Sequence, residues 1–265
     1  MSVQVSRRAA LAAGLALLAG GSAGRATPPE ARGLWEGGTR IVYGSRSLIV
    51  GHPGADPGLL RDLASRADAA GRTVAELFGR PPRPLVVVPD TTARAAALAG
   101  AGAVDGLAAL ADGDRVIVVP GAFSRLTPAG RGVVLAHELT HVAAGGGEVP
   151  VWLREGLADY VGYRDAGLPV PVAAAELAAE VRAGSPPRDL PGPAAFAPGG
   201  VRLAQAYQEA WLACRLLAGR FGEQALVRLY GDARERGVSA ALSTLGLSVA
   251  TLTAAWREYV RRELA

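Results

Sequence analysis

Two of the three histidines in this chain, His137 and His141, stand four residues apart in a stretch with the apolar pattern of a buried helix. This pair constrains the chain more than any other feature. Four residues is slightly more than one helical turn, so both imidazoles project from one face and can grip one metal ion. Glu138 lies about 100° further round the helix, beside the metal position without having to be a ligand. Val133, Val134, Leu135, Val142 and Ala143 flank the group and predict a buried, rigid helix. The pattern is H-E-x-x-H, with the glutamate placed as a general base.

A catalytic zinc has three protein ligands and an open position for water, so a third ligand is expected. A histidine at the extended spacing is missing: position 144 is Ala and position 147 is Gly. His52 sits in a Gly-His-Pro turn and reads as a surface residue, and Glu148 lies in a connecting loop. The carboxylates of the next predicted helix remain. Glu155 and Asp159 are also four apart and share one face. A helical hairpin through 145–149 would bring that face to His137 and His141, and spacing alone does not choose between the two.

The rest of the chain supports an α+β fold. Short apolar runs at 40–43 and 47–50 predict a hairpin, and those at 85–88 and 115–119 predict further strands. A long amphipathic helix is expected at 59–78 and a short one at 91–98. From Thr127 onward the pattern is helical, with helices near 128–144, 150–165, 172–183, 202–220, 223–234 and 248–264 and a Pro/Gly-rich loop at 185–200. The expectation is a small mixed N-terminal sheet with helices, followed by an all-helical half.

Residues 1–26 read as an export signal. Arg7 and Arg8 precede an uncharged Ala/Leu/Gly run at 9–24, similar to a twin-arginine signal, with the general secretory route as the alternative. The run is too short and too weakly apolar for a stable membrane span. Residues 27–57 read as a linker and N-terminal hairpin, and 58–265 as the main domain. The expected location is secreted or extracytoplasmic. The whole chain has 28 basic and 24 acidic residues. Without Arg7, Arg8 and Arg25 the balance is nearly neutral, which gives no electrostatic case for nucleic acid. The single cysteine, Cys214, excludes an intramolecular disulfide and reads as a buried helix residue.

H-E-L-T-H followed by P-x-W-L-x-E-G-x-A-x-Y resembles the gluzincin metallopeptidases, in particular the compact peptidase MA-like group, over about 126–230. The resemblance implies a zincin-like fold and a zinc ion held by His137, His141 and Glu155. It also implies that Asp159 orients His137, that Glu138 is the general base, and that peptide or protein is the substrate. A tyrosine from a later helix completes such sites, which points to Tyr207 as the oxyanion donor; Tyr160 reads as packing. Zincins bind extended substrate along an edge strand, here expected to be 115–119. Two features depart from the family pattern. Only thirteen residues separate His141 from Glu155, and there is no G-x-M-E-N-like motif for gripping a substrate amino terminus. Two rival functions are an exported zinc-binding module without turnover and a metal-dependent amidase acting on cell-wall peptide.

Overall fold

The computed structural model describes residues 28–79, 83–102, 104 and 106–265; the expected export signal lies outside them. Residues up to Arg32 form one unit, whose described part is a 3-10 turn at Pro29–Ala31. Gly33 to Ala265 form the second, an α+β fold.

Strands β1 (Arg40–Tyr43), β2 (Leu48–Gly51), β3 (Leu85–Val88), β4 (Ala109–Asp112) and β5 (Arg115–Val118) make one sheet in the order β1-β2-β3-β5-β4. The central pairs β2–β3 and β3–β5 are parallel, and an antiparallel hairpin closes each side. Helix α1 (Pro57–Phe78) carries the chain from β2 to β3, and α2 (Thr92–Leu98) follows β3. In β3 the side-chain alternation of a strand sorts Val86 and Val88 into the main core with α1. Val87 goes to a smaller cluster with Ala95 of α2 on the other face. The hairpin at the start is therefore an integral part of the sheet.

The helix boundaries follow local chemistry. Asp56 caps α1 through the Leu59 N–H, Pro57 occupies its first turn, and Gly79 ends it with φ of 67°. After a one-turn helix α3 (Pro120–Phe123), Thr127 caps α4 (Pro128–Ala144) through the Gly130 N–H. Then come α5 (Val151–Arg164), α6 (Val170–Ala173), α7 (Ala175–Arg182), α8 (Leu203–Phe221), α9 (Glu223–Arg236), α10 (Val238–Ser243) and α11 (Val249–Leu264). The helix expected at 172–183 is thus two pieces, broken at Ala174. Helix α10 had no counterpart in the sequence reading. No described helix is long and apolar enough to cross a membrane.

One expectation is corrected. The strand read at 115–119 is not an edge: β5 lies between β3 and β4, and its main chain is paired on both sides. The edge is β4, which lies beside α4. Its sequence, Ala-Leu-Ala-Asp, lacks the β-branched residues that mark a strand. It forms because Gly113, with φ of 60°, turns the chain back onto Val116 and Ile117.

Helix α5 runs between α4 and α8, and two glycines permit this. A methyl group at Gly156 would collide with the Ala210 carbonyl of α8 and come within 2.9 Å of the Cys214 sulfur. At Gly162 it would come within 3.0 Å of the Val133 carbonyl of α4. Cys214 is fully buried at this crossing, as its place in an apolar helix predicted.

From the middle of α1, Asp68 holds the β1–β2 turn. Its carboxylate accepts the N–H groups of Ser45 (2.6 Å), Arg46 (3.0 Å) and Ser47 (2.9 Å) and the Ser45 hydroxyl (2.9 Å). Burial alone would raise its pKa, but these donors outweigh it and hold the carboxyl at about 2. A carboxyl depressed in the folded state stabilises above its unfolded pKa of about 3.9 and loses that contribution as pH falls through about 2. The shift corresponds to about 2.5 kcal/mol at neutral pH. Asp68→Asn should therefore destabilise the protein by about 2 kcal/mol at pH 7 in urea melts. The gap to wild type should shrink steadily between pH 4 and pH 2. A gap that stays constant over that interval would contradict this role for the ionised carboxylate.

Candidate metal centre

The site is assembled from α4, α5, α8 and the β4 edge. His137 and His141 project from one face of α4, with their Nε2 atoms 3.1 Å apart. The Glu155 Oε2 on α5 lies 3.5 Å from the His137 Nε2 and 3.4 Å from the His141 Nε2. These three residues form a group of closely spaced potential ligand atoms among the described residues. His52 is elsewhere, accepting the Gly54 N–H through Nδ1 in the turn after β2. Glu148 is exposed in the α4–α5 loop.

Each member is held by a neighbour. The His137 Nδ1 is 2.8 Å from Asp159 Oδ1, so the ring donates its Nδ1 proton to the carboxylate and turns an Nε2 lone pair inward. Glu155 is gripped from outside: Arg154 Nε donates to Oε1 at 2.9 Å, leaving Oε2 for the two imidazoles. Glu138 accepts the Ala111 N–H of β4 through Oε2 at 2.8 Å. The phenol ring of Tyr207, near the start of α8, has its centroid 6.3 Å from that of His137. Phe196, from the 185–200 loop, packs edge-on against that phenol at 5.2 Å.

The electrostatics are those of a buried site with excess negative charge. Desolvation would lower the pKa of His137, but Asp159, Glu155 and Glu138 overcome it and raise it well above the ordinary histidine value. Burial would raise Glu155, but the two imidazoles hold it far below the usual carboxylate range. Glu138 is raised, chiefly by burial, with the imidazoles and the Ala111 N–H pulling the other way. The Tyr207 hydroxyl is raised by burial and then by the charges of Glu155, Asp159 and Glu138, so it stays protonated and able to donate.

The donor set fits zinc. Tetrahedral ligands about 2.0–2.2 Å from a zinc ion lie about 3.3–3.6 Å from one another, and the three donor–donor distances are 3.1, 3.4 and 3.5 Å. Two imidazoles with three nearby carboxylates also supply the negative charge that a dication requires.

No protein-family model and no curated protein matches this chain. Solved structures do. A two-domain M1 zinc metallopeptidase mutant bound to L-arginine is 18% identical, with 85% of this chain and 51% of that chain covered and a TM-score of 0.47. An M1 zinc metallopeptidase from Deinococcus radiodurans is 20% identical, with 85% and 51% covered and a TM-score of 0.43. A mutant M1 zinc metallopeptidase from the same organism is 15% identical, with 86% and 52% covered and a TM-score of 0.43. The chain spans about half the length of these structures. The likeness is distant, so the chemistry has to be read from the side chains.

Three participants escaped the sequence reading. Nothing in the sequence distinguishes Arg154 from a surface arginine, and only the structure shows which Glu155 oxygen it takes. Ala111 contributes a main-chain N–H, which no side-chain pattern can reveal. Phe196 lies in a loop without periodicity. The triple glycine between α4 and α5 has a specific cause. Arg234 of α9 donates to the Ala144 carbonyl at 2.9 Å. The loop folds over its side chain so closely that a methyl at Gly147 would overlap the Arg234 Cγ and Cδ. Gly145 and Gly147 have φ of 72° and 147°.

Proposed function

We propose that this chain is an exported zinc-dependent peptidase that hydrolyses peptide bonds, with His137, His141 and Glu155 as the metal ligands. The observation that carries this reading is the triangle of donor atoms with a half-buried glutamate, Glu138, next to His137 on the same helix. A binding-only site has no use for that glutamate. Export rests on the sequence character of residues 1–26.

When bound, zinc supplies Lewis acidity, polarising a carbonyl and bringing the pKa of a water down to about 7. The chain's own groups do the rest. Asp159 fixes the His137 tautomer, and Arg154 fixes the Glu155 carboxylate. Glu138 accepts the proton of the attacking water and returns it to the leaving nitrogen. The Tyr207 hydroxyl donates to the oxygen on which negative charge develops. An extended peptide is received by the β4 edge. The Ala111 N–H already points away from β5 towards Glu138, and by strand alternation Ala109 faces the same way.

The test is metal analysis together with a peptide-library cleavage assay. About one zinc per chain is expected, with cleavage lost to a chelator and restored by zinc. His137→Ala and His141→Ala should each abolish stoichiometric zinc. Full zinc retention in either variant would exclude this site.

A further inference from the structure

A second concave site lies on the α5, α8 and α11 helices, away from the candidate metal centre. Arg215 is eight residues beyond Tyr207 on α8, about 12 Å further along the helix axis. The cavity has a volume of about 500 Å³, in the range of small-molecule sites. Its lining includes three arginines, Arg215, Arg220 and Arg262, and two tyrosines, Tyr160 and Tyr259. No carboxylate lines it among the described residues.

The neighbouring acids offset only part of this charge. Glu223 accepts the Tyr160 hydroxyl at 2.9 Å, but it is already paired with Arg164 at 2.8 Å. Glu263 pairs with Arg262 at 3.4 Å. Arg220 stacks on the Phe221 ring. The Nε of Arg215 is buried and lacks a hydrogen-bond partner among the described residues. The guanidinium of Arg215 hydrogen-bonds the Tyr259 phenol, which holds it at the cavity wall.

We propose that this cavity binds an organic phosphate: a phosphate group held by Arg215, Arg220 and Arg262, with a small apolar or aromatic body against the tyrosines. Guanidinium forks match phosphate oxygens in pairs. The volume exceeds what a bare phosphate fills, and the tyrosine rings and Leu216 offer the remainder an apolar wall. The same chemistry occurs in a soluble phosphomonoester and in a phospholipid headgroup. This proposal does not depend on the peptidase reading.

The experiment is calorimetric titration of the chelator-treated protein with phenyl phosphate, paired with flotation on vesicles of phosphatidylglycerol or phosphatidylcholine. Chelation removes any binding of phosphate to a metal. Arg220 and Arg262 are exposed residues, so the double variant Arg220→Gln with Arg262→Gln leaves the core untouched. Arg215→Gln is the second variant, checked for folding by its thermal melt. Wild type should bind phenyl phosphate, and the double variant should bind at least tenfold more weakly. Flotation on phosphatidylglycerol alone, abolished in the double variant, would support the proposal with the headgroup as source. Binding of neither probe, or equal binding by wild type and the double variant, would overturn it.

Discussion

Glu138→Gln should retain about one zinc per chain and lose hydrolysis by roughly 10²–10⁴-fold, the usual contribution of general acid–base catalysis. The structure makes this a clean comparison. Glutamine has the same shape, and its amide oxygen can still accept the Ala111 N–H that positions the Glu138 carboxylate at 2.8 Å. The side chain therefore stays where it is, and only its ability to take a proton is lost. His137, His141 and Glu155 are untouched, so zinc content serves as the internal control. Cleavage rates should be measured at equal zinc occupancy across pH 5–9. Turnover equal to wild type in the zinc-loaded variant would defeat the proposed role of Glu138.

Glu155→Ala should nearly eliminate zinc binding at neutral pH, whereas Asp159→Ala should weaken it by roughly 10–100-fold. Both residues lie on one face of α5, but they meet the histidines differently. The Glu155 Oε2 faces both Nε2 atoms, at 3.5 and 3.4 Å. Asp159 reaches only the Nδ1 side of His137, at 2.8 Å. Loss of Glu155 removes a donor and frees the Arg154 guanidinium beside two imidazoles, which repels a cation. Loss of Asp159 leaves the donor count intact but removes the restraint on the His137 ring. Zinc titration against a competing chelator separates the two. If Asp159→Ala loses the metal and Glu155→Ala keeps it, the roles are the reverse of those proposed here.

The parts of the site legible in the sequence are those set by local geometry. A four-residue step fixes a shared helical face wherever the helix lies, so the His137–His141 and Glu155–Asp159 pairs could be read directly. Helix ends were legible where capping chemistry marks them, as at Thr127-Pro128. What stayed hidden depends on distant partners. Strand β4 has weak strand propensity and exists because β5 offers it a ladder. Arg154 differs from any helix-surface arginine only in its neighbour's orientation. Asp68 left a usable trace: a carboxylate next to Ala67 and four residues from Ala64, on the buried stripe of α1, has to have donors waiting for it. Those donors belong to the Ser45–Ser47 turn, more than twenty residues away.

The two glycines of α5 have a consequence for how such a centre can change. Where Gly156 faces the Ala210 carbonyl of α8 and Gly162 faces the Val133 carbonyl of α4, the glycine backbone comes up against the main chain of the neighbouring helix. At Gly162, the spacing between the histidine-bearing helix and the glutamate-bearing helix is then limited by the backbone. Swapping one core residue for another can soften or stiffen the surroundings without resetting that separation. The separation of the candidate ligands on α4 and α5 is thereby insulated from substitutions elsewhere in the core.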